Sequence, residues 1–255
     1  MMGYNAYDAW LSVNKLASDP KAYYRETLQD IINDRFEESS DYRLIDMLDR
    51  DTLLPTQIGV RLTKTRSINK GNKIKDDYFK ILFKDLSVAV EIGDLFEFDN
   101  FRWLVLDIKS LESGVMTCTI QRCNVQLKFV ESNNDVLPVI TDTIYTIDCI
   151  AENRIYDDEK DQYYTIPNNN IQAKVPNNSV SRKINFANQG GTRFILGNPE
   201  QVYATTSIDS ISMVRNEIGE SDNGVLLVKL KMERINPRQD NIVEKVAKQR
   251  CYGGA

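Results

Sequence analysis

The sequence predicts a mainly β protein with an N-terminal helical segment, its strands arranged as small antiparallel β-barrel or sandwich domains. Three observations carry this prediction. Leu95 to Phe98 and Phe101 to Ile108 are β-rich runs that meet at Asp99-Asn100, a pair suited to a tight turn. Val115 to Arg122 follows the turn Glu112-Ser113-Gly114, which makes the three runs an antiparallel meander with alternating side chains. Ahead of Pro55, by contrast, apolar residues recur at helical spacing.

The helical segment is read over residues 1–55. Asp19-Pro20 supplies an N-cap with proline at the first helical position, and Tyr24, Leu28, Ile31 and Ile32 follow at helical spacing. Tyr7, Trp10, Leu11 and Asn14 form a preceding amphipathic stretch that can pair with it. Ser39-Ser40-Asp41 is positioned to cap a third short helix carrying Tyr42, Ile45 and Leu48 on one side, closed by Pro55. Such apolar stripes are read as core or subunit contacts.

Residues 56–150 are read as a first barrel-like region. Ile58, Val60 and Leu62 alternate as in a strand, and the chain then runs to Asp76 through a stretch rich in positive charge. Between Asp51 and Asp76 there is no acidic residue, while Arg61, Lys64, Arg66, Lys70, Lys73 and Lys75 all fall there. Asn69 to Asn72, with its central glycine, reads as an exposed loop or hairpin tip. The segment is either a solvated loop or a polyanion-facing one, whose lysines touch phosphates without reading bases. No aromatic residues interleave to stack on bases.

Residues 151–240 are read as a second β region and 241–255 as a polar tail. Across the second half the strand-like runs are Leu127 to Val130, Val139 to Ile150, Gln172 to Val175, Arg193 to Leu196, Val202 to Ser207 and Val225 to Met232. Asn-, Pro- and Gly-containing turns such as Pro176 to Ser179, Gly197 to Pro199 and Asn223-Gly224 separate several of them. In the tail, Val243, Val246 and Ala247 offer at most a short terminal helix. No repeat recurs at a fixed period.

Composition narrows the chemistry. With 255 residues, 42% hydrophobic and 27% charged, the chain is ordinary for a soluble globular protein of two or three small domains. A net charge of -5 argues against a general nucleic-acid coating protein. No apolar run approaches the ~20 residues that cross a bilayer, and the N-terminus lacks a signal-peptide pattern, so no membrane partner or export is expected. With 0 histidines, Ser-His-Asp and Cys-His mechanisms and His-ligated metals are closed. The 4 cysteines, Cys118, Cys123, Cys149 and Cys251, form no C-x-x-C pair. The odd spacing of Cys118 and Cys123 puts them on opposite faces of a regular strand, so reduced, mostly buried thiols are expected.

Phosphate loops, G-x-S-x-G and H-E-x-x-H are absent. Asp157, Asp158, Glu159 and Asp161 cluster, but without the ladder of a calcium loop, and they read as a solvated turn. The expectation is a protein that is not an enzyme, with no catalytic residue, no cofactor and no metal.

Several elements, taken in order, carry a resemblance. They are Asp76-Asp77-Tyr78 with Ile81-Leu82-Phe83-Lys84-Asp85; Gly93 with Phe96 and Phe98; Trp103-Leu104-Val105; and Gln121-Arg122-Cys123-Asn124 with Leu127-Lys128-Phe129. Arg193-Phe194-Ile195-Leu196-Gly197-Asn198, Tyr203, Ile208-Asp209, Gly224-Val225-Leu226-Leu227-Val228, Asn236-Pro237 and Asp240-Asn241 continue the series. Over roughly residues 56–245 the sequence resembles a family of neck proteins of tailed phages and prophages of Gram-positive bacteria, components of the head-tail connector or head closure. It departs from that family at Phe129, where tryptophan is frequent, and in its polar tail.

The resemblance implies a virion structural protein, assembled in the host cytoplasm, that forms a homo-oligomeric ring through which DNA passes. Portal or adaptor protein and tail proteins would be its partners, and packaged double-stranded DNA would be touched non-specifically. Arg61, Lys64, Arg66, Lys70, Lys73 and Lys75 are the candidate DNA-facing or luminal residues. The alternatives are a tail or receptor- or carbohydrate-binding protein and a soluble nucleic-acid-binding β-barrel.

Overall fold

The computed structural model describes residues 29, 36–64, 77–110, 116–130, 143–153, 170–184, 191–197, 199–209, 224–236, 240–247 and 249. The first strands are β1 (Tyr42–Leu48), β2 (Pro55–Lys64), β3 (Tyr78–Phe83), β4 (Leu95–Phe98), β5 (Phe101–Ser110) and β6 (Met116–Arg122). They form a closed antiparallel barrel in the order β1-β2-β3-β6-β5-β4, with Met47 opposite Phe96 where the ends of the sheet meet. Closure removes both sheet edges.

The meander predicted from Leu95 to Arg122 is present. Asp99 and Asn100 both have positive φ, 51° and 64°, as the tight hairpin between β4 and β5 requires. Trp103, Val105 and Ile108 all point into the barrel core despite their uneven spacing. The register shift between Val105 and Asp107 accounts for this, because one extra residue changes which side chains face inward. Phe98 stacks on Trp103 at 4.7 Å and 4°, with Phe79 edge-on to both.

The second sheet comprises β7 (Val125–Val130), β8 (Ile144–Asn153), β9 (Asn170–Pro176), β10 (Arg193–Leu196), β11 (Gln201–Asp209) and β12 (Val225–Glu233). It is antiparallel in the order β10-β11-β12-β9-β8-β7. It curls until the rings of Phe129 on β7 and Phe194 on β10 meet edge-to-face at 5.8 Å. Leu127, Phe129, Cys149, Val175, Phe194 and Val228 fill its concave side.

Among the described residues, the third helix read after Ser39-Ser40-Asp41 is not present. Tyr42–Leu48 is a strand paired with Pro55–Lys64, and Pro55 opens β2 instead of closing a helix. The spacing of Ile45 and Leu48 misled because β1 is buried on two sides: Ile45 belongs to the barrel core, whereas Leu48 points outward into a different apolar cluster. Residues in opposite orientations on a doubly buried strand can be three apart and look like one helix face. The stretches proposed as helices at Tyr7–Asn14 and Asp19–Ile32 lie outside the described residues except Gln29, whose amide bonds the Lys84 carbonyl and the Leu86 N–H at 2.8 and 2.9 Å.

Sheet membership changes between Arg122 and Val125, so β7 and β8, read from sequence with the first region, pair in the second sheet. In the tail, the described residues form a tight turn with an isolated bridge between Asn241 and Val246, in place of a helix. Val246 and Ala247 are buried there.

Candidate functional site

A group of polar and charged side chains gathers where the barrel meets the second sheet. Leu48, Leu95 and Leu104 from the outer wall of the barrel form a buried cluster with Ile150 and Val225. Beside it, Gly93 (φ +95°) approaches Gly224 so closely that a Cβ at Gly93 would sit 2.0 Å from the Gly224 carbonyl oxygen. Only a residue without a side chain fits that contact and that φ together. Arg102 on β5 pairs with Asp148 on β8. The Asn124 amide brackets Ala151, accepting its N–H at 2.8 Å and donating to its carbonyl at 2.9 Å.

A cleft of about 380 Å³ opens at this junction, lined by Met47, Leu48, Asp49, Arg50, Asp51, Asp94, Asn178 and Arg182. The Arg50 guanidinium reaches Asp94 and Glu91, and the other Asp94 oxygen accepts the Glu91 N–H at 2.7 Å. Asp49 holds its own turn through the Thr52 N–H and hydroxyl at 2.8 and 2.6 Å. Asp51 reaches across to accept the Ser179 N–H at 2.9 Å, and the Asn178 amide donates to the Arg50 carbonyl at 3.3 Å.

The carboxylates of the cleft are tuned in opposite directions. Burial pushes Asp94 above the usual carboxylate range, against the pull of the Glu91 N–H and of Arg50. The Thr52 hydroxyl and N–H hold Asp49 below it, and the Ser179 N–H does the same for Asp51. Asp49 and Asp94 thus hold the β1–β2 connection within the barrel, and Asp51, with the Asn178 bond to the Arg50 carbonyl, ties that connection to the turn after β9. Among the described residues no group of three or more Cys, Asp or Glu side chains could hold a metal ion.

Of the basic residues singled out in the sequence, the two described, Arg61 and Lys64, do not line this cleft. Arg61 and Lys64 both lie on β2, but at an odd spacing that turns them to different faces. Arg61 is half-buried on the barrel wall with its guanidinium 5.9 Å from the Phe36 ring centre, a packing role, whereas Lys64 is exposed where the strand ends. Arg66, Lys70, Lys73 and Lys75 lie outside the described residues, as do Asp157, Asp158, Glu159 and Asp161.

Cys118 and Cys123 are separated as their spacing suggested: Cys118 belongs to the barrel core and Cys123 packs at the junction. Cys149 lies in the core of the second sheet, and all three are free thiols that burial pushes well up. Cys251 lies outside the described residues.

Sequence reading missed the Arg50, Asp94 and Asp51 clamp. Its partners are 44 and 128 residues apart in the chain, and no local motif links them. Compared with protein-family models, curated proteins and solved structures, the chain matches none.

Proposed function

We propose that this chain is a structural component of a tailed-phage neck, one subunit of a homo-oligomeric ring in the head-tail connector through which double-stranded DNA passes. The observation that carries the reading is where the resembling elements fall. Gly93, Leu104, Cys123, Asn124, Gly224 and Val225 all meet at the junction that fixes the barrel against the second sheet. Other elements of the resemblance, among them Phe96, Trp103, Phe129 and Phe194, fill the two cores. The junction supports the reading because a ring subunit needs its two β units in one fixed relation. A ring closes only if each copy presents two different patches at a constant angle.

Strand β2 ends at the exposed Lys64, and that lysine with the basic residues that follow it in the sequence would supply the contact with DNA. Each lysine adds a weak, salt-sensitive contact to phosphate, and repetition around a ring sums them. The interior aromatics Phe79, Phe98 and Trp103 are committed to the barrel core, which favours the ring over a single-stranded nucleic-acid barrel that stacks bases on exposed rings.

The test is electron microscopy of the full-length protein alone and with portal-adaptor complexes. A ring added coaxially to those complexes, from protein that is monomeric or weakly associated alone, is the expected result. A stable closed dimer that ignores them would refute the neck assignment.

A further inference from the structure

We draw no further inference here: the strongest candidate, the rim of the barrel beside the Asp99-Asn100 turn, where Arg43 and Arg122 flank the exposed Phe101, carries nothing because Asp99 and Asp77 pair with the two guanidiniums and nothing in the structure shows what covers it.

Discussion

Arg193 and Asp240, 47 residues apart in the chain, form a two-pronged ion pair whose side chains are 5% and 0% exposed. Glu233 takes the guanidinium Nε at 3.3 Å, and the Asn236 N–H donates to Asp240 at 2.8 Å. Removing Asp240 takes away the two-pronged partner of a buried guanidinium and leaves it the single contact with Glu233. Asp240→Ala should therefore lower stability by about 3–5 kcal/mol, read as a drop in the urea midpoint. A loss below about 1 kcal/mol, the range of a surface pair, would show that the pair is solvated in solution.

The contact between Gly93 and Gly224 makes a second prediction. Gly93→Ala places a methyl group 2.0 Å from a backbone oxygen and holds an L-residue at φ +95°. The φ alone costs about 1–3 kcal/mol, and the clash forces the barrel and second sheet apart. Scanning calorimetry should show the melting of the two units becoming separate, with each sheet retained by circular dichroism. A single transition at the original temperature would show that the junction tolerates the methyl.

The thiols supply a third. Burial holds Cys118, Cys123 and Cys149 in the neutral form, and the thiolate is the reactive species. Iodoacetamide at pH near 8 should leave the buried Cys118 and Cys149 unmodified in folded protein, label the half-buried Cys123 slowly, and label all three in urea, as mass spectrometry of peptides will show. Rapid labelling of Cys118 without denaturant would contradict its place in the barrel core.

Acid should break the Asp51 contact at the cleft only below the ordinary carboxylate range. Asp51 has its folded pKa depressed by the Ser179 N–H, so its contribution is present above the unfolded value of about 3.9 and is lost as pH falls through the folded one. Asp94 runs the other way: its raised pKa makes ionisation a burden that grows as pH climbs from about 3.9 through the folded value. Melting temperature measured from pH 2 to 6 should fall toward the acid end in the native protein, and Asp51→Asn should flatten that fall. An unchanged profile would remove Asp51 from the clamp.

The basic segment is tested by changing Lys70, Lys73 and Lys75 to Ser together. Leakage of DNA from filled, tailless heads, or poor ejection from virions whose rings form normally, is the result expected of a luminal loop. Normal retention and infectivity would leave the segment as a solvated hairpin, and failed assembly would move it to a subunit interface.

Much of the β framework was legible in the chain because strand signals are local. Alternation in Leu95–Phe98 and Phe101–Ile108, with Asp99-Asn100 between them, specifies a hairpin whatever surrounds it. Arg193–Leu196 was located to the residue for a similar reason, an apolar run followed at once by a Gly turn. The reading failed at Tyr42–Leu48, where burial on two sides produced a helical spacing without a helix.

The amino-acid sequence by itself determined that the chain is β-rich, without histidine chemistry, and turned at Asp99-Asn100 and Gly224. Only the tertiary structure decided that the first strands close into a barrel, that β7 and β8 belong to the second sheet, and that Arg50 meets Asp94 while Arg193 meets Asp240. Period and turn chemistry act between residues a few positions apart and leave a mark in the order of the letters. Ion pairs and close backbone contacts between distant segments depend on where the folded chain returns, and a charged residue or a glycine carries no local sign of the partner it will meet.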